Sequence, residues 1–297
     1  MLSEFMDPLC QLIRFEATDS VVLSGLLYEP RRRTRRAAIF LHGTGGASIF
    51  DSDRTNLLAR EFVNAGFAFF PFNNRGAHLV RRLRRRGKSI GGGMAYEVIR
   101  DCVHDIDGAV RELRRRGYRE LHLVGHSTGA NKIAVYDSRK KRNPIRRYVF
   151  LAGGDDTGLL YAELGPRRFE SSLRKAREMI RAKRGGEMMP SRMMSWRSFY
   201  DTANPDGDYN VFPFLEEMRG LRLGRRRPFR MIEAIRKPSL YVYGENEQFA
   251  HGDLPRCAAI LAAHVAANAE IVILEGADHG FGGYEEELGK LVTAWLS

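Results

Sequence analysis

The sequence predicts an α/β protein with a mainly parallel, eight-stranded sheet, helices on both faces and an inserted, mostly helical segment. Two observations predict it. Short apolar runs alternate with longer stretches of helical period over most of the 297 residues, the pattern left by strands buried on both faces between crossover helices. That rhythm breaks once, over residues 156–235, where charged helical patches and a Met/aromatic group replace it. Residues 1–155 and 236–297 are therefore assigned to one core, and 156–235 to a cap inserted into it.

The elements follow in order. Residues 12–17 and 21–28 read as two strands joined by a tight Asp19-Ser20 turn, a hairpin. Residues 37–41 form a compact apolar strand, 53–65 a helix starting at Asp53 and ended by Gly66, and 67–72 another strand. Residues 73–95 are polar, basic and glycine-rich, which predicts a loop. From 96 to 113 the residues Val98, Ile99, Cys102, Val103, Ile106, Val110 and Leu113 recur on one helical face, and Gly117 stops the helix. Strands are expected at 120–124, 148–151, 239–243 and 271–274, with helices at 128–138, 255–268 and 285–296.

Composition excludes several classes. With 43% hydrophobic residues and apolar periodicity from residue 12 to residue 296, the chain can bury a sizeable core and is not disordered. No apolar run approaches the roughly 18–20 residues that span a bilayer. Residues 1–15 carry Glu4 and Asp7 and make a poor signal peptide. The three cysteines, Cys10, Cys102 and Cys257, fit neither a disulfide framework nor a zinc pattern, so the expected location is cytoplasmic. The formal charge is +12, and only eight of the 48 basic residues are lysine. The arginine runs at 31–33, 81–86, 114–116, 139–147 and 225–227 are scattered and lack interleaved aromatics. They read as a solvated surface, and no nucleic-acid partner is expected.

The strongest chemical signal is Gly125-His126-Ser127-Thr128-Gly129, between a predicted strand and a predicted helix. A G-x-S-x-G elbow in that context exposes its serine at the C-terminal edge of the sheet, beside a helix N-terminus. A serine hydroxyl needs a base, and only His251, His264 and His279 follow Ser127. His264 sits within a helix and His251 close to the candidate acid, whereas His279 lies just after the last strand. The base is assigned to His279. The orienting acid is assigned to Glu247 in Gly244-Glu245-Asn246-Glu247, with Glu245 as near rival and Asp155 or Asp156 as alternatives from the neighbouring strand. The oxyanion needs two N–H donors. These are the amides of Thr128 and of Thr44, the latter in Leu41-His42-Gly43-Thr44-Gly45-Gly46, which lacks the lysine of a P-loop.

With these residues the chain resembles the α/β-hydrolase superfamily: His42-Gly43 after one strand, the Ser127 elbow after another, then an acid, then His279, in that fold's order Ser…Glu…His. The resemblance covers nearly the whole chain outside residues 156–235. Asn73-Asn74-Arg75-Gly76 and residues 125–132 also resemble the branch containing fungal siderophore (fusarinine-type) esterases and their bacterial relatives, from which no substrate is carried over. Glutamate stands where the superfamily more often has aspartate, and serine stands where dehalogenases of this fold use aspartate.

The resulting expectation is a serine hydrolase, a carboxylesterase acting on a small to medium acyl ester. The alternatives are an acyltransferase or thioesterase with the same triad, and a non-catalytic binding protein of the same fold. Met193, Trp196 and Phe199 are assigned either to the acyl pocket or to the inserted segment's own core. Asp101, His104, Asp105 and Asp107 lie on one helix, mostly on its solvent face, so no metal or other cofactor is expected.

Overall fold

The computed structural model describes residues 9–45, 47–50 and 54–297. Two details of the sequence reading, a helix start at Asp53 and the role of Gly46, lie outside the described residues, as do Glu4 and Asp7. The first elements are β1 (Cys10–Glu16), β2 (Val22–Tyr28), β3 (Arg36–Leu41), α1 (Arg54–Asn64), β4 (Ala68–Asn73), β5 (Arg81–Arg85), β6 (Lys88–Gly92) and α2 (Cys102–Arg115). They are followed by β7 (Glu120–His126), α3 (Thr128–Arg139), β8 (Ile145–Leu151), α4 (Asp156–Arg181), α5 (Trp196–Ala203) and α6 (Phe214–Arg219). The chain then returns to the sheet with β9 (Ser239–Asn246), α7 (Leu254–His264), β10 (Ala269–Asp278) and α8 (Glu285–Leu296).

Eight strands form one sheet in the order β1-β2-β4-β3-β7-β8-β9-β10. β2 is antiparallel to both neighbours, and the pairs from β4 across to β10 are parallel. Alternate side chains of the central strands enter two cores. Ile39, Phe70, Leu123 and Phe150 pack with α2 and α3 residues such as Ile106 and Ala134 on one face. Phe40, Phe69, Val124 and Val149 pack with Leu58 and Phe62 of α1 and Leu288 and Val292 of α8 on the other. Apolar side chains on both faces are why these strands read as unbroken hydrophobic runs. This is the expected fold class, an eight-stranded, mostly parallel sheet covered by helices.

Three local expectations need correction. Residues 73–95 contain the hairpin β5–β6, closed by the two-residue turn Arg86-Gly87 with φ of 49° and 76°. The run of arginines hides its alternation, in which Leu83 points inward. The helix expected from residue 96 begins at Cys102 after two 3-10 turns, because Glu97 is drawn to Lys132 and the Ile99 amide to Asp201. Asp105 is buried against Arg75 rather than solvent-facing. Asp101 joins the same arginine, Asp107 pairs with Lys140, and His104 with Thr18.

Residues between β8 and β9 carry α4, α5 and α6, with a small core of Phe169, Leu173, Ala176, Met189, Phe199 and Ala203. α4 bends at Gly165 (φ 72°), immediately before Pro166. Among the described residues, no helix is long and apolar enough to cross a membrane.

The tightest contact in the sheet–helix packing lies at Gly129 in the first turn of α3. A Cβ there would sit 2.0 Å from the Leu41 carbonyl oxygen at the end of β3. Gly129→Ala is expected to destabilise the protein by about 3 kcal/mol, since backbone rather than a mobile side chain must give way. Urea unfolding of the two proteins checks this through the shift in midpoint.

Candidate active site

Ser127 is the single residue between β7 and α3. Its φ of 56° and ψ of −126° are unusual for a residue with a side chain, a strain of about 1–3 kcal/mol held by the surrounding structure. The Ser127 amide donates to the Leu151 carbonyl at 2.8 Å, and the Ser127 carbonyl accepts from the Ala130 amide at 2.8 Å. Gly43 abuts it so closely that a Cβ on Gly43 would lie 2.9 Å from the Ser127 Cβ.

His279 follows β10, and its Nδ1 lies 2.8 and 2.9 Å from the two carboxylate oxygens of Glu247. A carboxylate only accepts, so Nδ1 carries the proton and Nε2 is left for other work. The Glu247 side chain is buried, and its Oε1 also accepts from the Phe249 amide at 3.0 Å. The Phe249 ring meets the His279 ring edge-on at 4.6 Å. On another side His126 donates from Nε2 to the His279 carbonyl at 2.7 Å. Burial first, then the neighbouring His279, holds His126 neutral with its pKa down at about 3.

Ser127 and His279 line one cavity of about 620 Å³, together with Gly43, Thr44, Arg54 and Asp156. Among the described residues no hydrogen bond joins the Ser127 hydroxyl to His279. Behind the cavity, His42 Nδ1 donates to the Gly43 carbonyl at 2.7 Å, and the Asn74 amide donates to His42 Nε2 at 3.2 Å. In a trans peptide the C=O and N–H point opposite ways. Holding the Gly43 carbonyl on His42 therefore turns the Thr44 amide away from His42. The Thr128 amide, the other proposed donor, directly follows Ser127 in the first turn of α3.

The sequence reading missed the support beneath this loop. Lys132 is buried on α3, with Nζ 2.6 Å from Glu97 Oε1 and 3.1 Å from Asn74 Oδ1. The available signal was a lysine inside the helix's apolar run Ala130-Asn131-Lys132-Ile133-Ala134. Burial, followed by the charge on Lys132, drives His42 down to about 3, so it stays neutral in the tautomer just described. Asn74 and Arg75 are both buried, and Arg75 is bound to Asp105 and Asp19.

The rival acids have other partners. Asp155 caps α4 through the Gly158 amide, accepts from the Leu215 amide, and binds His251 Nε2 at 3.1 Å. Asp156 faces the cavity and accepts from Asn131 at 3.3 Å. Its carboxyl is pushed up to about 7 by burial and by Asp155. Neither makes a hydrogen bond to His279 among the described residues. Glu245 accepts from the Gly276 amide. His264 stacks on Phe229 at 4.3 Å and pairs with Glu233. Of the three suggested pocket residues none lines this cavity: Phe199 is enclosed in the small core, Trp196 packs against that core, and Met193 is 54% exposed. Met194 lines a smaller adjoining chamber.

Residues 38–291 match the family model described as "Alpha/beta hydrolase family". The chain belongs to the alpha/beta hydrolase family. Solved structures of this family's fold include carboxylesterase CesB (YbfK) from Bacillus subtilis, 16% identical with a TM-score of 0.57, covering 97% of this chain and 92% of that one. Est1E from Butyrivibrio proteoclasticus, solved with ferulic acid bound, is 13% identical with a TM-score of 0.63, covering 95% and 97%. Naproxen esterase from Bacillus subtilis is 14% identical with a TM-score of 0.56, covering 98% and 92%. Among curated proteins none matches this alpha/beta hydrolase.

Two outcomes are expected from the buried groups. Lys132→Met leaves the Glu97 carboxylate without its buried partner and should lower stability by about 3–5 kcal/mol, read by urea unfolding. His42 and His126 titrate near 6.5 when unfolded but near 3 when folded. Their contribution is present above pH 6.5 and is lost as pH falls from there toward 3, because the unfolded chain binds the protons first. His42→Gln should therefore lose less stability than wild type between neutral pH and about pH 4.5, in urea titrations at both values.

Proposed function

We propose that this protein is a serine hydrolase, a carboxylesterase acting on small to medium acyl esters through an acyl-enzyme. The observation that carries the reading is the buried Glu247 carboxylate on His279 Nδ1, at the wall of the cavity that also holds Ser127. Glu247 fixes the tautomer with Nε2 bare and stabilises the imidazolium that forms during turnover. Substrate binding brings the Ser127 hydroxyl and Nε2 together, since such contacts are often long in an empty site.

Ser127 Oγ attacks the ester carbonyl while His279 Nε2 takes its proton. The carbonyl electron pair moves to oxygen, which accepts hydrogen bonds from the Thr44 and Thr128 amides, each worth about 3 kcal/mol in the transition state. The intermediate collapses, the C–O bond to the alcohol breaks, and His279 returns the proton to the leaving oxygen. Water then attacks the acyl-enzyme by the same route, with His279 as base, and releases the acid and free Ser127. Residues 156–235 act as a cap, with the root of α4 contributing Asp156 and Leu159 to the cavity wall. A structural neighbour holding ferulic acid, and another named for naproxen, are in keeping with a small ester as substrate. The three free thiols favour a reducing compartment, the cytoplasm.

The test is hydrolysis of p-nitrophenyl butyrate together with fluorophosphonate labelling. Wild type should turn over and be labelled at Ser127. Ser127→Ala should lose both, and Glu247→Gln should fall about 10³–10⁴-fold in kcat. Turnover by Ser127→Ala equal to wild type would refute the assignment.

A further inference from the structure

A second chamber of about 180 Å³ adjoins the Ser127 cavity, and the two share Thr44, Asp156 and Leu159 as wall residues. Its lining contrasts with the rest of the chain. The protein carries 48 Lys and Arg against 36 Asp and Glu, yet no lysine, arginine or histidine lines this chamber among the described residues. Two of its carboxylates already have partners: Glu97 is neutralised by Lys132 at 2.6 Å, and Glu163 at the rim by Arg192 at 2.6 Å. Asp156 differs. Its hydrogen-bond donor is the neutral amide of Asn131 at 3.3 Å, and no salt bridge reaches it among the described residues.

Three hydroxyls of the chamber have their protons on other acceptors: Tyr209 donates to Thr128 Oγ1 at 3.5 Å, and Ser198 and Thr202 to carbonyls. Ser198 Oγ donates to the Met94 carbonyl at 2.9 Å, and Thr202 Oγ1 donates to the Ser198 carbonyl at 3.0 Å. Their protons are committed, so their lone pairs are what a guest would meet. Met94, Met194, Leu159, Leu160 and Tyr209 give the rest of the wall an apolar, partly polarisable surface.

We propose that this chamber is a subsite for an ammonium-bearing arm of the substrate, with Asp156 as the residue that reads the positive charge. The inference rests on the esterase reading for the word substrate, but the chamber binds the cation whether or not Ser127 reacts. Asp156 lies half-buried in the first turn of α4, with no ion pair of its own among the described residues. Burial and Asp155 raise its carboxyl to about 7, against the opposing influence of His279 and Lys132. An ammonium ion entering from the Ser127 side supplies a countercharge in direct contact and favours the ionised form. Charge-assisted bonds of this kind are stronger than neutral ones, and hydroxyl and thioether lone pairs complete the coordination of the N–H groups. Asp156 is thus a specificity residue for the arm of the ester, distinct in role from the acid on His279.

The experiment measures binding of n-butylammonium, n-butanol and butyrate by calorimetry at about pH 8, and their inhibition of p-nitrophenyl acetate hydrolysis. Wild type should bind n-butylammonium at least about tenfold more tightly than n-butanol, and butyrate more weakly than either. In Asp156→Asn the ammonium preference should collapse to within about twofold. Leu160→Trp, which fills the chamber and leaves the carboxylate in place, should weaken ammonium binding about tenfold or more. This second variant keeps the proposal open to refutation if Asp156→Asn fails to fold. Equal wild-type affinity for the ammonium and the alcohol overturns the proposal, and so does a full preference surviving in Asp156→Asn. Fluorophosphonate labelling separates the two readings. Labelled Ser127 without ammonium binding sinks the subsite alone, whereas ammonium binding without labelling supports the subsite and sinks the esterase reading.

Discussion

The approach of the α3 N-terminus to the end of β3 constrains everything around the candidate nucleophile. Gly129 lets the helix begin against the Leu41 carbonyl, which places the first turn of α3 beside the His42-Gly43-Thr44 segment. Ser127 must then turn through a positive φ to join β7 to that helix within one residue. The same closeness sets Gly43 against the Ser127 side chain. A wider spacing would separate the two backbone segments that carry the Thr44 and Thr128 amides. The backbone strain is thus stored where two elements are pinned together, and the rest of the sheet holds it.

Beneath that junction lies a buried polar relay. Lys132, Glu97, Asn74 and His42 are linked end to end by ion pair and hydrogen bond, and the last link grips the Gly43 carbonyl. Removing an ammonium and a carboxylate from water is unfavourable unless their remaining hydrogen bonds are met. Here Asn74 takes one bond from the lysine while its own backbone amide serves the imidazole. The arrangement gives little as a source of stability compared with an apolar filling, but it specifies one orientation for the peptide above it. A hydrophobic core would hold the same volume without fixing which way that carbonyl points.

Much of the sheet was legible because its central strands are apolar on both faces, and such runs announce themselves without tertiary information. The hairpin β5–β6 escaped for the opposite reason: its apolar side chains are Leu83 and half-buried Ile90 alone, arginine fills the rest of β5, and lysine, serine and glycine the rest of β6. The elbow and the late histidine were legible from glycine spacing and strand ends. The sequence left Glu245, Glu247, Asp155 and Asp156 open as acids, because neighbouring carboxylates differ only in where the backbone aims them. Lys132 and the Asp155–His251 pair were not foreseen, since their partners lie 35 and 96 residues away in the chain. Met193, Trp196 and Phe199 were read as a group, but Phe199 on α5 turns into the small core while Met193, in the irregular segment before α5, is left in solvent. Composition gives no means of separating those fates.

The bend in α4 at Gly165 and Pro166 divides that helix into a root and an arm. The root is fastened by Asp155 to the β9–α7 loop through His251 and to α6 through the Leu215 amide. The arm packs instead on α5 through Phe169, Leu173 and Ala176. Proline at the joint withholds a backbone donor, so the regular ladder of the helix is interrupted there. The outer portion is therefore free to lengthen, shorten or be exchanged over evolutionary time while the carboxylate at the base keeps its station, a division of labour that lets one scaffold diversify its guests without rebuilding its chemistry.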